Sequence, residues 1–458
     1  MTIRRFLPAL LLATVLALPA AAAADLPSPL TLDDALARAE TASPSIRQAD
    51  ASADAAAEEA RAARGARWGH LDLVGTAARL NDDAILRPMS RQLFEEAGSL
   101  GLHGLPLDRN QRHWGAELEV PLWTGGTLSR RIRAADLGKV RARALAEGSR
   151  WQVRANVASL YGAVVSLDAL AEALGRYGEA LGATRRKLEL MVREGKRPRV
   201  DLLKVEDEAA AVEGRRAEVR AHRARAAALL AALLGLEPGE LPDLVPPGER
   251  ETGALLALEL PPRDELVDRA LASSRTRAAR AEAGRARELE RAARGELLPK
   301  VVAKGTWIRN EAPSLSEPLD TWQVALAVKV PVFAGGSRWA KHRAARHRAE
   351  AARAGEERTR LEVIARVDEA RSSVEAAGAR VRAARARREA AEEAARIERL
   401  RYENGAGTIE DLLRAEARAA EARAAVVAAR ADLRTAVEAL SAACETEFFP
   451  GAGAPETE

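Results

Sequence analysis

The chain carries one unit twice, and that repetition limits its possible folds more than any other feature. Pro121-Leu122-Trp123-Thr124-Gly125-Gly126 returns as Pro331-Val332-Phe333-Ala334-Gly335-Gly336. Gly195 followed by Asp201-Leu202-Leu203 returns as Gly405 followed by Asp411-Leu412-Leu413, at the same offset of 210 residues. Arg-Ala-Ala-Arg-Gly at 61–65 returns at 291–295, an offset of 230, which places an insertion in the first copy between Gly65 and Pro121. One such motif could recur by chance in an Ala/Arg-rich chain; three in the same order indicate duplication.

Each copy reads the same way along the chain. A short helix (Leu32–Thr41; Asp264–Leu271) precedes a helical stretch ending near the Arg-Ala-Ala-Arg-Gly block. Two strands follow, then a very long helix, a tight Gly-containing turn and a helix running back. The expected organisation is a signal peptide over 1–24, a first repeat over 25–236, a Pro/Gly-rich connecting segment over 237–262, a second repeat over 263–443 and a tail over 444–458. Arg4 and Arg5, the apolar stretch to Leu18 and the small residues Ala20–Ala24 carry the signal-peptide assignment, with cleavage after Ala24. Beyond it, the longest apolar run, Ala226–Leu236, falls short of the ~18 residues of a spanning helix.

The strands show membrane-type alternation. Trp114, Ala116, Leu118, Val120 and Leu122 interleave with Gly115, Glu117, Glu119 and Pro121; Trp322, Val324, Leu326, Val328, Val330 and Val332 interleave with Gln323, Ala325, Ala327, Lys329 and Pro331. Period-2 alternation gives one apolar and one polar face, as in outer-membrane barrels with lipid outside and a wet lumen inside. The partner strands, near His70–Leu80 and Lys300–Arg309, alternate less cleanly. Trp114 and Trp322 are expected at strand starts, Trp123 and Phe333 at strand ends, as interfacial girdles. Pro121 and Pro331 lack a ladder donor and precede the pairs Gly125-Gly126 and Gly335-Gly336, so they are expected to end each strand and turn the chain into a helix.

The helices obey a different period. Val153, Leu160, Leu167, Leu174, Leu181 and Leu188 fall on a seven-residue step; so do Val205, Val212, Val219, Ala226 and Leu233, and Val367, Val374 and Val381. A strict seven-step imposes left-handed coiled-coil packing. The helix from Ser129 to Arg193 would run on the order of 100 Å, too long for a compact domain.

Four strands cannot close a barrel, since single-chain barrels start at about 8 strands and are then filled by side chains. Two chains would give a plugged barrel, so an open pore needs at least three.

Several function classes are disfavoured. The 71 basic residues interleave with 67 acidic ones at helical spacing, the pattern of solvated helix faces rather than of a nucleic-acid surface. His342 and His347, five apart, do not share a helix face, His103 and His113 lie in the insertion assigned to an extracellular loop, and Cys444 is alone. No nucleophile–base motif stands out, so neither enzyme activity nor a metal or other cofactor is expected. A periplasmic coiled-coil adaptor or scaffold without a pore is the alternative, but it leaves the paired alternating strands unexplained.

The ordered Pro-x-aromatic-x-Gly-Gly and Gly-x5-Asp-Leu-Leu elements, over Leu32 to about Ala443, resemble the TolC family of outer-membrane efflux and secretion channels. The resemblance implies an α+β membrane protein of the outer membrane. Four transmembrane strands per protomer would join a trimeric 12-stranded barrel above a long periplasmic α-helical coiled-coil tunnel. It further implies a homotrimer in outer-membrane lipid, docked through a periplasmic adaptor to an inner-membrane transporter that drives export of small molecules, metal ions or proteins.

Matching by motif assigns residue roles. Asp201 and Tyr402 become a latch pair at the tunnel tip, and Asp411 a ring carboxylate; Arg414 stands where a second ring carboxylate is usual, and Gly407 where a latch arginine is common. Gly195, Lys196, Gly405 and Thr408 become adaptor-contact positions at the hairpin tips. A second use of the same residues is purely local: Thr408 as helix N-cap with Asp411 at the capping-box position.

Overall fold

The computed structural model describes residues 27–85, 107–311 and 318–449. The segment assigned to a signal peptide, His103 and the last nine residues lie outside them. In chain order the elements are α1 (Leu32–Ala42), α2 (Pro44–Gly65), β1 (His70–Ile85), β2 (Leu107–Trp123), α3 (Thr127–Arg193), α4 (Arg199–Leu233), α5 (Glu249–Leu256), α6 (Arg263–Leu271), α7 (Ser274–Gly295), β3 (Lys300–Glu311), β4 (Leu319–Lys329), α8 (Ser337–Glu403) and α9 (Ile409–Cys444). Helices α3 and α8 have 67 residues each, about 100 Å at 1.5 Å per residue.

The four strands form one antiparallel sheet in the order β1-β2-β3-β4. His70 lies opposite Glu119 in the first hairpin and Lys300 opposite Lys329 in the second. Those two registers coincide once the offsets of 230 and 210 residues are applied, so the repeat holds at the level of backbone pairing. Pair β2–β3 joins the copies, with Lys304 Nζ 2.8 Å from Glu119.

Register places Leu71, Leu73, Trp114, Leu118, Trp322, Val324, Leu326 and Val328 on one face of the sheet. That face is bare: Leu73 is 87% exposed and Val324 76%. Asp72, Glu117, Glu119, Lys304 and Gln323 occupy the other face. An apolar face four strands wide needs a lipid or protein cover. Edges β1 and β4 are unpaired among the described residues.

Four strand-level expectations change. Pro121 does not end β2; it lies opposite Val302 and the strand continues through a register shift to Trp123, because a bulge accommodates a residue without a ladder donor. β4 stops at Lys329, so Val330, Pro331 and Val332 lie outside it. The end of β2 is held by β3, whereas among the described residues no strand lies beyond β4. Trp114 sits inside β2 rather than at its start, edge-on to Trp307 at 5.3 Å. His113 is in β2, opposite Asn310, and not in a loop.

The helices pack in three apolar clusters. One gathers Leu30, Leu36, Val157, Tyr161 and Leu230; the second gathers Leu174, Leu181, Leu188, Val205 and Val212 toward the hairpin tips; the third gathers Leu266, Val367, Val381, Leu433 and Val437 in the second copy. The seven-step positions thus form the seams, as knobs-into-holes packing requires. One helix, α3, does contain an 18-residue stretch apolar enough to cross a membrane, with mean hydropathy 1.5. Its Val157, Val164 and Val165 are buried in protein, so the apolar run serves packing.

The connecting segment is structured. Helix α5 buries Thr252 and Leu255, and Glu249 receives both Arg385 of α8 and Arg430 of α9. Leu30 bridges to Leu244, and Tyr161 Oη lies 2.7 Å from the Val245 carbonyl oxygen. The segment therefore straps the long helices together near mid-length.

Candidate gate and junction sites

Two places gather the motif residues: the strand-to-helix junctions and the hairpin tips. At the junctions Gly125 and Gly126 have φ of 62° and 79°, and Gly335 and Gly336 have 57° and 73°. Both pairs occupy the left-handed region, which side chains disfavour, and so permit the sharp exit from sheet to helix. Around them the surroundings differ. A Cβ at Gly295, the end of α7, would fall 2.5 Å from the Gly125 carbonyl oxygen and 2.7 Å from Thr127 Oγ1, and Thr127 donates to the Ala292 carbonyl at 3.1 Å. Nothing lies within 4 Å of such an atom at Gly335, Gly336 or Gly65.

At the tips, both long helices end alike. Lys196 N donates to the Met191 carbonyl at 2.8 Å and Gly195 N to Val192 at 3.1 Å; Ala406 N and Gly405 N do the same to Arg401 and Tyr402 at the same distances. This pairing with a left-handed glycine (φ 71° and 74°) satisfies the last carbonyls of each helix. The return helices start differently. Pro198 precedes α4 without a side-chain cap, whereas the Thr408 hydroxyl accepts from Asp411 N at 3.1 Å and donates to the Asp411 carboxylate at 2.7 Å. Arg414 lies 3.9 Å from the other Asp411 oxygen. Asp411 therefore caps α9 and faces a cation.

Asp201 stands in the first turn of α4 and Tyr402 is buried one turn before the second tip. No hydrogen bond joins them among the described residues, and Tyr402 Oη has no partner there. Burial pushes the Tyr402 hydroxyl above its ordinary pKa, Arg197 pulls it down, and Asp201 adds a smaller upward push. Arg197 is the residue that holds Tyr402: its guanidinium lies 4.6 Å from the ring centroid and donates to the Tyr402 carbonyl at 3.2 Å.

Three ion pairs accompany this clamp, all between the hairpins of one chain. Lys204 Nζ is 2.6 Å from Glu410, Lys187 Nζ 3.6 Å from Glu403, and Arg215 3.4 Å from Glu421. Lys204 holds the Glu410 carboxyl below its ordinary range. Sequence reasoning missed Arg197, Lys187 and Lys204 because their partners lie about 200 residues away; only the offset between the tips hints at the pairing. Between the hairpins remains a cavity of about 280 Å³ lined by Tyr177, Leu181, Lys187, Arg399, Tyr402 and Glu416.

Farther from the tips along the long helices lies a buried charge cluster with no sequence motif. Arg434 lies 2.9 Å from Asp33 and 3.1 Å from Glu438, and Arg154 reaches Glu40 and Glu447 at 2.9 and 2.8 Å. Burial raises the Glu438 carboxyl above its ordinary pKa against the pull of Arg434 and Arg154. His347 pairs with Glu350 at 3.0 Å, and no metal-binding cluster occurs among the described residues.

Residues 266–444 match the model of a family described as outer membrane efflux protein. No curated protein matches the chain. Three solved outer membrane proteins share the fold. VceC of Vibrio cholerae is 21% identical with a TM-score of 0.71, covering 91% of this chain and 97% of that one. The CmeC channel of Campylobacter jejuni is 16% identical at 0.74, covering 90% and 85%. The open state of the MtrE channel of Neisseria gonorrhoeae is 20% identical at 0.69, covering 91% and 89%.

Proposed function

We propose that this chain is a TolC-type outer membrane efflux protein, a channel rather than an enzyme, that works in the outer membrane as a passive homotrimer. The family match over residues 266–444 and the fold shared with solved outer membrane channels support that reading. The conduit carries small molecules or metal ions driven by an inner-membrane transporter and a periplasmic adaptor. The observation that carries this reading is the sheet: four strands with a bare apolar face, a polar reverse and two unpaired edges, attached to helices about 100 Å long. Three copies would supply 12 strands, enough for an open lumen.

Within this reading the tips form the gate and the adaptor surface. Gly195, Lys196, Gly405 and Thr408 admit a partner helix, Asp201 and Tyr402 form the latch, and Asp411 with Arg414 rings the constriction. A carboxylate ring favours cations; here Arg414 offsets that charge, so cation preference is weaker than Asp411 alone would give. Pro121, Gly125, Gly126, Pro331, Gly335 and Gly336 shape the barrel–tunnel junction. The mature chain starts at Asp25.

Fractionation with a heat-dependent mobility assay tests the assembly, and planar-bilayer recording tests the conduit. The expected result is a membrane-bound trimer with discrete conductance. A soluble monomer without conductance would sink the channel and favour a periplasmic scaffold.

A further inference from the structure

The duplication makes one part of this molecule a template for another. Within the chain, the first-copy helix α3 is covered on one flank by second-copy elements: α7 near the sheet and α9 toward the tip. Among the described residues nothing covers the corresponding flank of α8. Thr127, Ala134 and Ala144 of α3 are buried, while their counterparts Ser337, Ala344 and Ala354 are exposed. The first-copy counterparts of α7 and α9 are α2 and α4, whose matching faces are also open; Ala292 is buried but Ala62 exposed. The offsets therefore specify the occupant of the α8 flank: α2 and α4 of a second copy.

We infer that a second copy seats on α8 in this register, tied beside the sheet and untied at the tip. The inference rests on the trimer reading and assigns its contacts. Beside the sheet, three contacts have counterparts. The approach of Gly125 to Gly295 becomes Gly335 to Gly65 of the second copy, and the Thr127 bond to the Ala292 carbonyl becomes Ser337 to Ala62. The Arg277–Glu147 ion pair becomes Arg47 of the second copy with Glu357, again opposite charges. The Arg130–Glu288, Arg131–Glu296 and Arg141–Glu282 pairs are not reproduced, since Ala340, Ala66 and Ser52 stand in for Arg130, Glu296 and Glu282. The ties beside the sheet are therefore the backbone approach, the hydroxyl bond and one ion pair. The sheet follows the same rule. Val120, Pro121 and Trp123 pair with Ala303, Val302 and Val301, so Val330, Pro331 and Phe333 pair with Leu73, Asp72 and Leu71 of the second copy. That missing strand accounts for the early end of β4.

At the tip none of the four ties has a counterpart. Lys187–Glu403 becomes Ile397 with Arg193; Lys204–Glu410 becomes Arg414 with Val200; Arg215–Glu421 becomes Ala425 with Ala211; and the Arg197–Tyr402 clamp becomes Gly407 with Val192. Unopposed cations remain instead, because Arg193 and Arg199 have no ion-pair partner among the described residues. Each copy's two hairpins thus move as one clamped unit, and the aperture opens along the seams between copies.

The test uses the full chain with Cys444→Ala and a short bis-maleimide cross-linker. Arg47→Cys with Glu357→Cys is expected to give covalent dimers and trimers on a denaturing gel, while Arg277→Cys with Glu147→Cys gives only an internal link. A native trimer that the first pair fails to cross-link overturns the register and leaves the channel reading standing; absence of any trimer overturns the channel reading itself. For the tip, Ile397→Glu adds a partner for Arg193 across the seam. It is expected to shift the open–closed equilibrium toward closed by about 1.4- to 5-fold per tie, reversibly in high salt and not in an Arg193→Ala background. Unchanged gating, or a change that survives Arg193→Ala, overturns the untied seam.

Discussion

The two longest helices have the same length, the same left-handed glycine before them and the same glycine-terminated end, yet they sit in different surroundings. Along α3, burial runs from Thr127 to Leu188; along α8 it is sparse, and past Val381 only Ala395 and Tyr402 are buried. Local structure is therefore set by what the copies share, the heptad step and the turn chemistry, and does not depend on the packing each helix receives. The difference lies in supply. α3 is flanked by α2, α4, α7 and α9 of its own chain, whereas α8 packs on α6, α7 and α9 and leaves Ser337, Ala344 and Ala354 on its remaining flank exposed. One chain thus holds one complete interface between its two repeats and, under the proposed assembly, the two open halves of the next.

The buried charges Arg434 and Glu438 have no charged counterparts in the first copy, and breaking this pair should have the largest effect of the changes considered. Arg434 and Glu438 are each at most 2% exposed, whereas their first-copy counterparts on α4 are Ala224 and Ala228. Arg434→Ala leaves Glu438 without its nearest cation and should cost about 3–5 kcal/mol, read as a loss of melting temperature in detergent. Arg434→Ala with Glu438→Ala makes α9 resemble α4 and should recover a good part of that loss. A double variant no better than the single one would show that Asp33 and Glu251 need the guanidinium more than Glu438 does.

The pH dependence of the same site follows from burial. The folded state raises the Glu438 pKa, so this group's contribution is fully present below the ordinary glutamate value and is lost as pH rises through the folded one. The melting-temperature difference, wild type minus Glu438→Gln, should therefore shrink between pH 4.5 and neutrality (approximate bounds set by the reference glutamate pKa). A difference that grows with pH would mean that the attraction of Arg434 and Arg154 outweighs desolvation.

The junction comparison predicts a smaller but more selective effect. Gly295→Val meets the Gly125 carbonyl and Thr127 inside the chain and should destabilise every protomer by about 1–3 kcal/mol. Gly65→Val meets nothing within 4 Å in the protomer. It should leave protomer melting unchanged and weaken the trimer, a split that native gels and melts together can detect.

These contrasts bear on what was legible in the residues themselves. The seams at Leu181, Val205 and Val367, the strand alternation and the two tip turns follow from periodicity and backbone chemistry, which act over a few residues. The continuation of β2 past Pro121 was not legible, because a bulge depends on the strand alongside. Nor was the arrest of β4 at Lys329, since alternation persists to Val332 whether or not a neighbour is present. At the tips, Thr408 and Asp411 could be read as a cap from their spacing, but the hold of Arg197 on Tyr402 spans 205 residues and leaves no local pattern.

The tips differ in how their return helices begin. Thr408→Ala removes the side-chain cap of α9 and should cost about 1 kcal/mol, seen as faster amide exchange over the first turn of that helix. α4 begins after Pro198 and has no such bond to lose. Pro198→Thr should slow exchange at the start of α4 if capping is what separates the two tips.

The smallest effect tests the latch most directly. Within one protomer the Tyr402 hydroxyl bonds to nothing described, while its ring and carbonyl engage Arg197. Arg197→Ala should therefore loosen the tip by roughly 0.5–1 kcal/mol, and Tyr402→Phe alone should leave protomer stability within a few tenths of a kcal/mol of wild type. Single-channel recording then separates two uses of the tyrosine. If Tyr402→Phe leaves conductance unchanged while Arg197→Ala raises it, the tyrosine is the seat of an arginine clamp within each copy. If the phenylalanine alone raises conductance, the hydroxyl is bonded in the assembled channel and Asp201 is the first partner to test, by Asp201→Ala in the same background.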